Sequence, residues 1–376
     1  MNKELDMRSE TDGLTITEKP IFSDEYSECR LCLRSCGVNR NERTGYCGVG
    51  SRMKVARVAL HYWEEPCISG GLLEGGAPGS GAVFFSGCNM RCVFCQNAEI
   101  SRRQVGAEIG IQELADRMLL LQSQGALNIN LVTASHYVPS VVRVVELAKR
   151  NGLSVPIVYN CGGYESVDTL KRLEGVVDIY LPDYKYADSK LALRFSGCED
   201  YPEVAFRALE EMERQLRNAA SVEMERQLRN AASDKVEEQL QNAASDKVEE
   251  QLRNASVVDA DRQLQDASLC RYDARGIMQR GMIIRHLILP GHKRNSRDAV
   301  KRLFERFGNQ VCYSLMSQYT PMPGAVECAP ELGRRITKRE YDEVVDYALE
   351  LGMQNAYIQE REVASESFIP HFSNEL

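Results

Sequence analysis

The 376-residue chain predicts an α/β protein with a parallel sheet and helices outside it. Two observations predict this. Short apolar runs alternate with stretches whose apolar residues recur at helical spacing, and the alternation repeats six times. Six units fall short of the eight of a complete barrel, so the expected form is a partial, open (β/α)6 barrel. Composition agrees: hydrophobic residues are 43% and charged residues 27%, which provides for a sizeable core and excludes a mostly disordered chain.

The elements follow in order. Residues 1–28 carry little hydrophobic pattern and are expected to be a loose leader; their start, MNKELDMRSETDG, lacks the apolar stretch of a secretory signal. Residues 29–80 are rich in Cys, Gly and charge, a composition for loops and metal knuckles. The barrel is assigned to 81–376. GAVFFSG (81–87), NINLVT (128–133), VPIVYN (155–160), VVDIYLP (176–182), IIRHLIL (283–289) and VCYSLMS (311–317) read as buried strands. Residues 111–124, 138–151, 166–174 and 297–308 read as the intervening helices, and 338–352 as a further helix ending at a Gly cap.

A tandem array interrupts this alternation at about 211–268. The pair Gln-Leu recurs at 215, 227, 239, 251 and 263, a period of 12. Within one unit Val236, Leu240, Ala243 and Ala244 make a helical stripe, but twelve residues at ~100° each leave an offset of about 120°, so the stripe wanders around a continuous helix. The array holds 13 acidic and 8 basic residues, so most of the chain's formal charge of −8 sits there. It is expected to be an exposed, dispensable helical insertion, with partner binding the alternative. That acidic balance argues against a general nucleic-acid binder. No apolar run approaches the ~20 residues that span a bilayer. A cytoplasmic protein without membrane or nucleic-acid partners is the expectation.

Of thirteen cysteines, eight lie between Cys29 and Cys95, and without an export signal such clustering reads as metal ligation. Cys88, Cys92 and Cys95 form C-x3-C-x2-C directly after the first barrel strand. Three thiolates on one short loop can wrap a cubane [4Fe-4S] cluster and leave one iron without a protein ligand, open to substrate. Phe94 is expected to shield it from water. A structural zinc site or three ordinary thiols are the alternatives. Cys29, Cys32, Cys36 and Cys47, spaced C-x2-C-x3-C-x10-C, can close a site for zinc, a single iron or an auxiliary iron-sulfur cluster. Cys67, Cys161, Cys198, Cys270, Cys312 and Cys328 lack partners at ligand spacing and read mostly as small buried hydrophobes, with Cys161 a candidate to face the site.

With the three-Cys loop, the phrases NLVTASHYVPS, VYNCGGYES, YLPDYKYAD, RHLILPG, SLMSQYTP and AYIQEREVASESFIPHF make the chain resemble the radical S-adenosylmethionine superfamily. More closely, it is similar to pyruvate formate-lyase activating enzyme-like proteins with an extra N-terminal Cys-rich segment. The resemblance implies a radical S-adenosylmethionine barrel and reductive cleavage of S-adenosylmethionine to a 5′-deoxyadenosyl radical that abstracts hydrogen from a substrate. It further implies an electron donor such as flavodoxin or ferredoxin and, as one candidate partner, a glycyl radical enzyme. Radical modification of a small molecule or peptide, and a non-catalytic metal-bound adaptor, are the rival functions. The resemblance implies cofactor contacts at the strand ends. Ser135 and His136 stand where relatives usually carry a Gly-Gly-Glu type motif, from which Thr133-Ala134-Ser135-His136 departs. Asn160 ends the third strand, and Asp183 with Lys185 resembles an Asp-x-Lys pair. Lys185 is placed on the methionine carboxylate and Asp183 on a ribose hydroxyl or a substrate group. His286 is read as an interior histidine.

Overall fold

The computed structural model describes residues 24–71, 73, 75–241, 268–358 and 372, with side chains of 225 and 227–241 left out. The leader up to residue 23, the array from 242 to 267 and most of the C-terminal phrase lie outside the described residues. The fold is α/β with a mostly parallel sheet, compatible with a barrel-like arrangement. Its strands are β1 (Lys54–His61), β2 (Ser80–Phe85), β3 (Ala107–Glu108), β4 (Ile129–Val132), β5 (Ile157–Cys161), β6 (Ile179–Pro182), β7 (Arg271–Tyr272), β8 (Met278–Leu287), β9 (Cys312–Met316) and β10 (Ala356–Ile358). They run in the order β10-β9-β8-β6-β5-β4-β2-β1-β3, with β7 on β8.

Pairing is parallel from β2 through β4, β5, β6, β8 and β9 to β10. Every residue of β2, β4, β5, β6 and β9 is buried. Strands covered on both faces must be apolar nearly throughout, which is why they appear in the sequence as continuous runs. All six strands expected from those runs are present. Residues 29–80, read as loops, also contain β1, which pairs antiparallel with β2 and β3. Its residues alternate poorly and are half-buried, so the period-2 signal was weak.

The helices cover the sheet as their spacing requires. Val138–Arg150 buries Val138, Val141, Val144, Val145 and Ala148. Thr337 caps Lys338–Glu350 in a capping box with Glu340. Among the described residues, no helix is long and apolar enough to cross a membrane.

The array corrects one expectation. The helix Tyr201–Gln241 runs unbroken from the barrel into the repeats, and the first unit is not an exposed appendage. Met212 and Leu216 are buried. Gln215 takes the Tyr180 hydroxyl on its side-chain oxygen and donates to the Leu170 carbonyl at 2.9 Å. Arg214 bridges Glu211 and Glu174, and Arg306 reaches Glu213. The unit nearest the barrel thus aims its apolar residues at the core. Excision from 211 onward therefore removes core. Met212→Ala is expected to cost about 2–5 kcal/mol, read as a drop in urea midpoint at unchanged slope; a cost under about 0.5 kcal/mol would place this turn in solvent.

Candidate functional site

The carboxyl ends of parallel strands are where α/β proteins open onto ligands, because side chains from successive strands converge there. One cavity lies at these ends. Cys88, Cys92 and Cys95 line it from the loop after β2, Asn160 and Cys161 from β5, Asp183 and Lys185 from the end of β6, and Arg285 from β8. Ser135 and Thr133 line it after β4. Of the cofactor candidates, only His136 is absent from the lining.

Arg285 is the centre of the polar floor. Its Nε donates to Asp183 Oδ1 at 2.9 Å, Nη1 to Glu64 Oε2 at 3.2 Å and Nη2 to Asn160 Oδ1 at 2.6 Å. Lys185 Nζ pairs with the other Asp183 oxygen. Asn130 and Asn160 donate to Glu64 Oε1 at 3.0 and 3.3 Å. Burial pushes the Asp183 carboxyl up, but Arg285 and Lys185 more than offset it and hold it below the usual range. Burial opposes the Lys185 charge, and Asp183 and Cys92 restore it. Glu64 is raised, burial outweighing Arg285.

Glu64 and Arg285 were missed in the sequence. Period-2 alternation held the signal for Arg285: in IIRHLIL, Arg285 and Leu287 share the cavity face, while His286 points away and bonds the Tyr184 carbonyl at 2.6 Å. Glu64 had no signal, since it arrives from the stretch read as loops. Tyr201, also unread, lies 2.9 Å from the Gly162 and Asp183 carbonyl oxygens and accepts the Lys185 amide at 2.9 Å. A Cβ on Gly163 would lie 2.1 Å from the Asp183 carbonyl oxygen, so β5 and β6 approach there as only glycine allows.

The cysteine loop is held from several sides. Ser196 Oγ donates to Cys92 Sγ at 2.9 Å. Burial pushes the Cys88 thiol up to about 12. Phe94 is buried, with edge contacts to Tyr186, Phe195 and Tyr319. The N-terminal cysteine segment packs against this loop: the Cys88 amide donates to the Cys47 carbonyl at 3.2 Å, and Arg34 donates to the Asn89 carbonyl at 2.8 Å. Gly87, at φ 89°, permits the approach, for a Cβ there would meet the Cys47 oxygen at 2.9 Å. Among the described residues, no three His, Cys, Asp or Glu side chains converge as a single bound ion demands.

Ser135 Oγ donates to Glu165 Oε1 at 2.6 Å, and the Tyr159 hydroxyl to Oε2 at 3.1 Å. The His136 ring is turned to the Ser86 carbonyl at 2.8 Å, so it braces the backbone leading into the Cys loop. Cys161 faces the cavity as expected. Cys67, Cys270 and Cys312, remote in sequence, meet in a small apolar cluster with Val158, Ile179 and Ile283. Cys198 is buried and Cys328 exposed.

Two predictions follow from these charges. Arg285→Met leaves Glu64 without its cation and Asp183 with Lys185 alone, and is expected to cost about 3–5 kcal/mol by urea denaturation; a loss below about 1 kcal/mol would mean water reaches the floor. Burial raises the Glu165 carboxyl to about 7, against a partial lowering by the Ser135 and Tyr159 bonds. A carboxyl raised on folding stabilises fully below its unfolded pKa of 4.5 and loses that contribution as pH rises through about 7. The loss amounts to about 3 kcal/mol. His136, lowered to about 3, and His286, lowered to about 4, act in the opposite sense over much of the window, so the variant is the control. The stability gap between wild type and Glu165→Gln is expected to shift by about that amount from pH 5 to pH 8; parallel pH profiles would refute the assignment.

No family model matches the chain. It is similar to an uncharacterized protein of Methanocaldococcus jannaschii, 27% identical over 194 residues, which cover 50% of this chain and 54% of that protein. The match thus spans about half the length of that curated relative.

Proposed function

We propose that this chain is a radical S-adenosylmethionine enzyme on a partial (β/α)6 barrel. The observation that carries the reading is that Cys88, Cys92 and Cys95 share one cavity with Lys185, Asp183, Asn160 and Arg285. The donor set fits a [4Fe-4S] cluster. A cluster takes one thiolate per iron, so its ligands need not converge as they do around a single ion held at about 2.3 Å. When bound, such a cluster together with S-adenosylmethionine would supply one-electron reductive cleavage of the sulfonium and, through it, hydrogen abstraction from a substrate.

The chain's own groups do the rest. Cys88, Cys92 and Cys95 would hold the cluster as thiolates, and burial resists loss of the proton at Cys88 and Cys92. The Lys185 cation acts on Cys92 in the opposite sense and favours the thiolate. Lys185 and Arg285 offer positive charge to the methionine carboxylate. Asp183 and Asn160 offer acceptors for its amino group or for ribose hydroxyls. Phe94, Met90 and Tyr319 line the cavity and keep water from the reacting atoms. The N-terminal cysteines form a second metal centre. The substrate is a hydrogen donor, with a backbone glycine of a glycyl radical enzyme the first choice and a small molecule or peptide the second. Flavodoxin or ferredoxin supplies the electron.

Anaerobically reconstituted and reduced protein is expected to convert S-adenosylmethionine to 5′-deoxyadenosine, and Cys92→Ala to abolish the product. Product at the wild-type rate from that variant would sink the ligand assignment.

A further inference from the structure

Two arginines are buried in very different company. Arg285 faces two carboxylates. Arg40 is 2% exposed, and among the described residues no carboxylate pairs with it. Its hydrogen bonds are met: Nη2 donates to the Gly50 carbonyl at 2.6 Å, Nη1 to the His136 carbonyl at 2.6 Å, and Nε to the Val49 carbonyl at 3.3 Å. The guanidinium also stands 5.0 Å from the Tyr26 ring centre and 5.3 Å from that of Tyr137. Carbonyls and ring faces satisfy the donors but bring no countercharge, and an uncompensated buried charge is strongly unfavourable.

Beside Tyr26, Tyr137 and His136, the ionisable groups around Arg40 are sulfurs. Nη1 lies 3.7 Å from Cys29 Sγ. Cys47 and Cys29 are among its principal electrostatic neighbours, and Cys36 feels its charge in turn. The Arg40 stem and the Cys36 sulfur flank one point: a Cβ on Gly45 would lie 3.3 Å from Arg40 Cδ and 3.5 Å from Cys36 Sγ. As neutral thiols these cysteines leave Arg40 unpaired. As thiolates on a cubane iron-sulfur core, which takes one thiolate per iron and does not need them converged as a single ion does, they answer it, since four thiolates outnumber the positive charges of the core.

We propose that Cys29, Cys32, Cys36 and Cys47 hold an anionic metal–thiolate centre, with Arg40 as its buried counter-cation. The proposal rests on reading these cysteines as a metal centre and is independent of the radical chemistry at Cys88. Arg40 is a positioning residue: one nitrogen faces Cys29 and the same nitrogen holds the His136 carbonyl, in the loop that also carries Ser135. With the Cys47–Cys88 backbone bond, this makes the metal centre a wall of the proposed cluster site.

The test uses the full chain with Cys88, Cys92 and Cys95 changed to Ser, so that only the N-terminal set reports. After loading with iron and sulfide, iron content is followed against increasing EDTA. Arg40→Met is expected to release metal at roughly 10- to 100-fold lower chelator, and Arg40→Lys, which keeps the charge, within a few-fold of the parent. A structural arginine would not reverse sign with metal. Arg40→Met is therefore also made where Cys29, Cys32, Cys36 and Cys47 are Ser. There it is expected to raise the melting temperature, because the charge has no countercharge to lose, while in the metal-loaded protein it lowers it. The same shift in both backgrounds overturns the counter-cation role while leaving the metal centre standing. Absence of iron and sulfide from the loaded parent overturns the metal centre itself, and the proposal with it. If Arg40→Met fails to fold in the loaded background, Arg40→Gln against Arg40→Lys decides on metal retention alone, and equal retention overturns the proposal.

Discussion

Arg285 is a permanent charge that the sheet cannot expel to water. A guanidinium does not deprotonate within a protein, so its surroundings must bring acceptors and countercharge to it. Those acceptors come from three other places: Asp183 past β6, Asn160 on β5 and Glu64 after β1. The requirement therefore holds the carboxyl ends of β5, β6 and β8 together and draws the segment after β1 across them. Lys185 is aimed at the cavity because Asp183, already fixed by Arg285, has a second oxygen to share. The same charge that stabilises the floor thus orients the groups proposed to meet the cofactor.

The cysteine loop depends on a different constraint, the close approach of two backbones. The Cys88 amide reaches the Cys47 carbonyl only because Gly87 has no side chain to meet it. Arg34 adds a second tie to the same loop at Asn89 and reaches the Ser196 and Gly197 carbonyls beyond it. An N-terminal segment that first looks like a separate knuckle is thereby continuous with the site. Loss of structure in it would reach the cavity through a hydrogen bond and a glycine.

The long helix illustrates how tertiary context divides a repetitive sequence. Neighbouring array units are nearly alike, so composition assigns them one role. The first unit nevertheless has a role of its own. Near residue 216 the apolar stripe faces the sheet and Gln215 finds Tyr180 and Leu170 as partners. The helix that carries this unit also begins with Tyr201, which ties the ends of β5 and β6 together.

The sequence alone determined the parallel strands, because strands buried on both faces must be written as unbroken apolar runs. It determined the three-Cys loop and the polar residues at the strand ends, because ligand spacing and strand termini are local features. Asn160, Asp183, Lys185, Ser135 and Cys161 were legible as strand-end residues, with the resemblance pointing to the first four as cofactor contacts, and they do line one cavity. Tertiary structure alone decided the rest. Glu64 joins Arg285 across 221 positions, a separation no spacing rule spans. His286 was read as interior and is buried, whereas Arg285 beside it went unread, because its partners come from three other segments of the chain. His136 was read as a cofactor contact from its place in the resemblance, yet its ring is turned to the Ser86 carbonyl. Burial separates these cases: a charge or carbonyl removed from water must find its partner wherever the fold brings one, and that place is written in no local stretch of chain.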